Sequence, residues 1–260
     1  MNQIPEDNNY QREHFDRIQS EYQDEYDDKG SLHYKRELIL KKISSSLDFL
    51  EKSNLRLLEI ACGSGANVEQ LKIMSAKNLH TVGVDISGEA IQQFKRRHGE
   101  HSAFQVDFTL KQPPLPSGPF DVVLIMGGIH HMVRDLDTVF QNIHDNLVVN
   151  GMVVFVEPNR LFLNSIRRRW YRRSRYFDSD TEEAIDHDEI AFVYRDLFST
   201  KEVRYFGGPG FFVILQSLIL RTPKWIKTAT YRPLTAIDKA MERMLPSRLL
   251  PAFVAVWHRR

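Results

Sequence analysis

The sequence predicts an α/β chain wound around a doubly wound, mostly parallel sheet, and three observations carry that prediction. At residues 57–67 the run Leu-Leu-Glu-Ile-Ala-Cys-Gly-Ser-Gly-Ala-Asn joins a stretch of strand length to a helix-compatible one through a Gly-x-Gly turn. Strand-like and helix-like segments then alternate throughout residues 56–157 with short loops between them. Finally, each strand-like segment is followed at once by polar or glycine residues, at the edge where open α/β sheets place their ligands.

The elements follow in chain order. Residues 1–10 read as disordered, and residues 11–26 carry a narrow aromatic stripe of Phe15, Ile18, Tyr22 and Tyr26 among charges, as in a helix lying over something. A second helix is expected over residues 32–50 and the first strand over 56–60. After the glycine loop a helix runs to Met74, a strand covers residues 81–85, and Ser87 caps a helix that Gly99 stops after His98. A short strand at residues 103–106 leads to Asp107, and a proline-rich loop at 113–119 precedes the apolar strand 120–125. Leu136, Val139, Phe140, Ile143 and Leu147 share a helix face, Asn150-Gly151 turns the chain, and residues 152–156 form another buried strand. Asp186 with Glu189 boxes the start of a helix through Leu197. Residues 201–206 read as a strand, 211–220 and 236–244 as helices, and 253–257 as the last strand.

Composition narrows the class. At 260 residues the chain is long enough for one large core, and 35 Lys and Arg against 34 Asp and Glu leave no global field to recruit nucleic acid or a membrane. Cys62, the one cysteine, excludes an internal disulfide and fits a reducing compartment. The polar, acid-rich start lacks a signal core and no apolar run is long enough to span a bilayer, so a cytoplasmic protein is expected.

The strand ends offer the glycine loop, Asp85, Asp107, the segment Gly127 to His131, and Glu157. Asp85 lies about 20 residues beyond the glycines, where a carboxylate accepts both hydroxyls of an adenosine ribose. A dinucleotide fingerprint needs a third glycine at position 68, which holds Val68, and no Gly-Lys-Ser/Thr completes a Walker loop.

Residues 56–160 resemble the core of a class I S-adenosylmethionine-dependent methyltransferase of the small-molecule type. The resemblance rests on Leu-Glu-Ile-Ala-Cys-Gly-Ser-Gly at 58–65, Val-Asp-Ile-Ser at 84–87, Val-Asp-Phe at 106–108, and Phe-Asp-Val-Val-Leu-Ile-Met-Gly-Gly-Ile-His-His at 120–131 with its Asn150-Gly151 turn. It implies a seven-stranded Rossmann-like sheet with an N-terminal helical cover (residues 1–50), a cofactor-binding core (51–160), a basic lid and helix (161–200), and C-terminal strands and helices completing the same domain (201–260). It further implies S-adenosylmethionine as cofactor. Glu59 would orient the loop, Gly63 and Gly65 would lie along the cofactor, Asp85 would hold the ribose, Ile86 would pack on adenine, Asp107 beside Phe108 would accept from the adenine amine, and Met126 would border the methionine end. Relatives usually carry glycine where Ala61 stands, a departure small enough for the loop to survive.

Methyl transfer from a sulfonium is an in-line displacement that depends mainly on positioning, but a hydroxyl acceptor must also lose a proton. His130 and His131 are both candidate bases, with Glu157 placed to orient an imidazole, as in related O-methyltransferases. The alternative is that one histidine packs under the loop and the other caps the following helix. Glu157 and Asn159 alone do not make a metal cluster, so no metal is expected. Met126-Gly-Gly-Ile129 replaces the Asn/Asp-Pro-Pro-aromatic tetrad of base-amine methyltransferases, and the only thiol lies in the cofactor loop, so nucleic-acid substrates are disfavoured. Phe15, Tyr22, Tyr26, Tyr34 and Trp170 are acceptor-wall candidates. The arginine-rich segment 160–175 could bind a phosphate-bearing acceptor, lipid head groups or RNA, or serve as a solvated lid paired with the acidic run at 178–183. The expected function is methylation of a small, aromatic or phosphate-bearing acceptor, most readily at oxygen, with peripheral membrane contact left open. The alternatives are a nucleic-acid-binding relative or a non-catalytic scaffold of the same fold.

Overall fold

The computed structural model describes residues 12–13, 15–17, 19, 25–115, 118–163 and 182–260. Its strands are β1 (Asn54–Ile60), β2 (Asn78–Asp85), β3 (Ala103–Gln105), β4 (Phe120–Met126), β5 (Leu147–Pro158), β6 (Phe198–Phe206) and β7 (Ala252–Arg259). They form one seven-stranded sheet in the order β3-β2-β1-β4-β5-β7-β6. β1 to β5 pair in parallel, whereas β7 runs antiparallel between β5 and β6. The Rossmann-like sheet expected from the sequence is therefore present, and its topological switch falls between β1 and β4.

Both faces of the sheet are covered, which is why β4 reads as a continuous apolar run. Val122 and Leu124 join one core with Leu38, Leu57 and Ile214, while Val123 and Ile125 join the other with Phe140, Phe155 and Trp257. Removing each such side chain from water contributes roughly 1.5–3 kcal/mol.

The helices are α1 (Lys29–Lys35) and α2 (Lys41–Leu47), joined through a π-helical turn (Arg36–Leu40), then α3 (Ala66–Met74), α4 (Gly88–His98), α5 (Leu136–Asn146), α6 (His187–Val193), α7 (Ser217–Leu220) and α8 (Lys224–Met244). Ser87 caps α4 by accepting from the Ala90 N–H at 3.1 Å, as its position predicts. Asp186 caps α6 through the N–H groups of Asp188 and Glu189, but Glu189 does not reach back to close a box. It pairs instead with Arg160.

Several boundaries differ from the sequence reading for identifiable reasons. The expected turn at Asn150-Gly151 lies inside β5, where Asn150 adopts a φ of 62° and the pairing with β4 slips between Phe120 and Val122. Leu147 opens β5 rather than closing α5. The helix expected at 236–244 begins at Lys224 and runs through Pro233, because Lys227, Tyr231, Thr235 and Asp238 bury one face on both sides of the proline. The segment 211–220 is a π-helical turn (Phe211–Leu215) followed by the short α7.

Trp257 shows how β7 locks the second core. Its ring stacks on Phe140 with centroids 5.5 Å apart and meets Phe155 edge-on at 4.9 Å, while its indole N–H donates to His187 Nε2 at 3.2 Å. Trp257→Ala is expected to lower stability by about 3–5 kcal/mol and Trp257→Phe by less, read as the shift of the urea-unfolding midpoint.

Candidate active site

The parallel strands end at one edge, and the loops that leave it surround a cavity of about 320 Å³. The loop after β1 is wound left-handed: φ is 53° at Ala61, 51° at Gly63 and 76° at Gly65. Gly65 must be glycine, because a Cβ there would lie 2.7 Å from Phe94 Cδ2 and 2.8 Å from the His98 ring. At Gly63 an added Cβ would meet nothing closer than Gln19 Nε2 at 4.0 Å, so this backbone is open to whatever fills the cavity. Ala61 keeps the same handedness with a methyl group, at a cost of about 1–2 kcal/mol.

Asp85 ties that loop to the end of β2. One carboxylate oxygen accepts from the Gly63 N–H at 3.0 Å and the other from the Ser87 N–H at 2.9 Å. Burial raises its pKa above the ordinary carboxylate range, these two N–H groups oppose the rise, and the nearby Asp16 adds to it. Asp107 folds the next loop by accepting from the backbone N–H and hydroxyl of Thr109 at 3.0 and 2.6 Å.

Beyond β4, Ile129–His131 form a 3₁₀ turn that sequence periodicity did not reveal. Glu157 at the end of β5 holds it. Its Oε1 accepts from the N–H groups of Gly128 and Ile129 at 3.0 and 2.8 Å, and its Oε2 accepts from His130 Nδ1 at 2.7 Å. His131 lies against Glu182, with Nδ1 3.0 Å from Oε1, and Phe15 meets its ring edge-on at 5.1 Å. Burial opposes a charge on His131, but Glu182, with Glu157 and Asp85 behind it, carries its pKa above the usual value. His130, His131 and Glu182 bring one potential ligand atom each within 4.8 Å of one another. Within that group His131 forms an ion pair with Glu182, and the His130 ring beside it donates to Glu157.

Ala61, Gly63, Asp85, Ile86, Asp107, Phe108 and Met126 line the cavity, as do His130, His131, Glu157, Phe15 and Tyr26. Glu59 and Gly65 stand behind the loop and off the cavity wall. Tyr34, expected in the acceptor wall, belongs to the core: it is fully buried and its hydroxyl donates to Asp238 at 2.6 Å. Ile18, Tyr22, Trp170 and the arginines from Arg167 to Arg175 lie outside the described residues. Arg160 is engaged by Asp186 and Glu189. The sequence reading missed Lys35 and Asp27 near the glycine loop and Phe206 on an apolar wall, which Phe211 and Leu215 share.

This arrangement of strands is the fold of class I S-adenosylmethionine-dependent methyltransferases. Residues 58–153 match the model of a methyltransferase domain family. The chain is 23% identical over 150 residues to a malonyl-[acyl-carrier protein] O-methyltransferase of Legionella pneumophila, covering 57% of this chain and 51% of that protein. It is 30% identical over 133 residues to a ubiquinone biosynthesis O-methyltransferase of Pelagibacter ubique, covering 50% and 52%. It thus spans about half the length of each of these two relatives. Among solved structures it shares its fold with the N-methyltransferase NodS of Bradyrhizobium japonicum in complex with S-adenosyl-l-homocysteine (TM-score 0.56, 14% identity, 93% and 98% of the two chains covered). It shares it also with a magnesium protoporphyrin IX methyltransferase of Synechocystis with the same product bound (TM-score 0.60, 12% identity, 97% and 99% covered).

The residues present fit that cofactor. Gly63 leaves the loop backbone open, and Asp27, Asp85, Asp107 and Glu157 line the cavity around it. Behind the loop the Glu59 carboxylate is buried, and burial pushes its pKa well above the usual range.

Asp85 accepts ligand hydrogen bonds best when ionised, and its raised pKa means that protonation begins above the ordinary carboxylate range as pH falls. S-adenosylhomocysteine affinity is expected to decline with falling pH through that window. In Asp85→Asn it should be about tenfold or more weaker near neutrality and lose this component of the pH dependence, as isothermal titration across a pH series would read.

Proposed function

We propose that the chain methylates a hydroxyl of a small molecule with an apolar body, with His130 as the general base and Glu157 as the residue that positions it. The carrying observation is the His130–Glu157 pair, 2.7 Å long, on the wall of the same cavity as the glycine loop. When bound, S-adenosylmethionine supplies an electrophilic methyl group. Asp85 would hold its ribose, Asp107 and Phe108 its adenine end with Ile86, Gly63 would give it backbone contact, and Met126 would border the methionine side.

A carboxylate that accepts at Nδ1 fixes the imidazole with its proton there and leaves the Nε2 lone pair as the basic site. His130 Nε2 then takes the acceptor's hydroxyl proton as the oxygen attacks, and Glu157 stabilises the imidazolium that forms. Glu182 draws His131 toward its protonated state, against the effect of burial, and the ring packs on Phe15. Phe206, Phe211, Leu215 and Val156 supply an apolar wall for the body of the acceptor. Similarity to the two O-methyltransferases supports oxygen as the atom methylated.

The test is an acceptor screen with labelled cofactor, followed by kinetics on the best acceptor. His130→Asn is expected to lower kcat by about a hundredfold or more while S-adenosylhomocysteine binding stays within twofold. Glu157→Gln, which exchanges one acceptor oxygen for an amide, should lower kcat less and move the pH–rate profile. Undiminished turnover in His130→Asn would exclude base catalysis and leave positioning as the whole mechanism.

A further inference from the structure

The long helix α8 turns two different faces to its surroundings. Lys227, Tyr231, Thr235 and Asp238 point inward and are buried. On the opposite side Trp225, Ala229, Pro233, Ala236, Ala240 and Met244 are exposed, at the three- and four-residue spacing that sets them in one row along a helix. Trp225 is 73% exposed and Met244 80%, and Ile237 is exposed beside them. Leu220 before the helix and Leu249 after it are exposed as well. A helix of 21 residues is about 30 Å long, and the row runs nearly all of it. A single exposed hydrophobe is ordinary, whereas a continuous row of them marks a contact surface.

The charges around the row carry one sign. Residues 220–249 contain seven Lys and Arg against two acids, and both acids turn away from it. Asp238 is fully buried and accepts from Tyr34, and Glu242 is held by Lys42 at 3.0 Å. Acids on the segments packed beneath the helix are engaged in the same way, Glu25 and Asp28 by Lys227 and Glu37 by Lys41 and Lys239. Arg221, Arg232, Arg243 and Arg248 are exposed, and so is Lys224, which Glu25 approaches no closer than 3.9 Å. Pairing of this face with a second copy of itself would bring like charges together. An anionic surface complements it instead. No helix among the described residues is long and apolar enough to cross a membrane, so a lipid contact here is one of lying on the bilayer.

We propose that the outer face of α8 docks on an anionic lipid bilayer, with Trp225, Ile237 and Met244 entering the boundary between headgroups and acyl chains and the flanking arginines meeting lipid phosphates. An indole suits that depth, since its ring is apolar and its N–H remains within reach of the headgroups. The assignment stands apart from the methyl-transfer reading, because its test uses neither cofactor nor acceptor.

The test is co-sedimentation of the full chain with vesicles of phosphatidylcholine alone and of an equimolar mixture with phosphatidylglycerol. Wild-type protein is expected to bind the mixed vesicles about tenfold or more tightly than the neutral ones and to be released as salt rises. Trp225→Ala and Arg243→Glu should each weaken that binding about fivefold or more, while Arg195→Glu, placed just beyond α6 on the opposite core, should stay within about twofold. Undiminished binding in either Trp225→Ala or Arg243→Glu puts the contact elsewhere and overturns the proposal. Equal losses in Arg195→Glu and Arg243→Glu overturn it too, because net charge rather than this face would then be read. So does failure of wild-type protein to sediment with the mixed vesicles, whether it stays monomeric or self-associates through Trp225.

Discussion

A buried carboxylate without partners is costly, and Glu157 is the carboxylate on which this site depends. It is 1% exposed at the end of β5, yet it serves the loop that leaves β4. The Gly128 and Ile129 N–H groups and the His130 ring are held by its two oxygens, with the His130 N–H more distant at 3.4 Å. Those N–H groups would otherwise be orphaned at the start of a 3₁₀ turn too short to pair them internally. One side chain thus ends the sheet, folds the loop and fixes the orientation of the proposed base. These three roles are inseparable because the loop backbone and the imidazole share the same acceptor.

A similar economy governs the other end of the cavity. Asp85 cross-links the glycine loop to the start of α4, so the loops that leave β1 and β2 are joined by a carboxylate facing the cavity. The left-handed Ala61 fits for a reason found across the sheet. An added Cβ at Gly128 would lie 2.9 Å from the Ala61 methyl, so the loop after β4 leaves room for the one residue that departs from the relatives' usual glycine. The strain at Ala61 is held by neighbours that are themselves fixed by Glu157 and Asp85.

The parts of this molecule set by local rules were legible in its sequence. Strand length, the Gly-x-Gly turn, the Ser87 cap and the strand-end acids each follow from a few adjacent residues, and the sheet followed from their alternation. What could not be read depends on partners far along the chain. Tyr34 looked like a wall residue because aromatics near a site often are, but its hydroxyl meets Asp238, 204 positions away. Glu182 lies 51 positions beyond His131, so no local spacing announced that pair or the distinction it creates between the two histidines. Lys35 likewise reads as an ordinary helix charge until Asn67 and Asp27 are placed beside it. Pro233 shows the converse, a strong local breaker overridden by a buried helix face.

The way the cover is attached bears on how a cavity this enclosed exchanges its contents. The described residues of the N-terminal segment are fastened largely through polar side chains. Asp16 accepts from Ser87 Oγ at 2.5 Å, Gln19 donates to Gln93 at 3.1 Å, and Asp27 accepts from Ser64 and Arg97. Polar contacts of this kind contribute about 0.5–1.5 kcal/mol each, or somewhat more where one partner is charged, because water replaces them when they open. The apolar helices beneath, from Leu38 to Leu47, bury side chains fully and have no such substitute. The fold therefore places its cheapest interactions between cover and glycine loop and its most expensive ones below them.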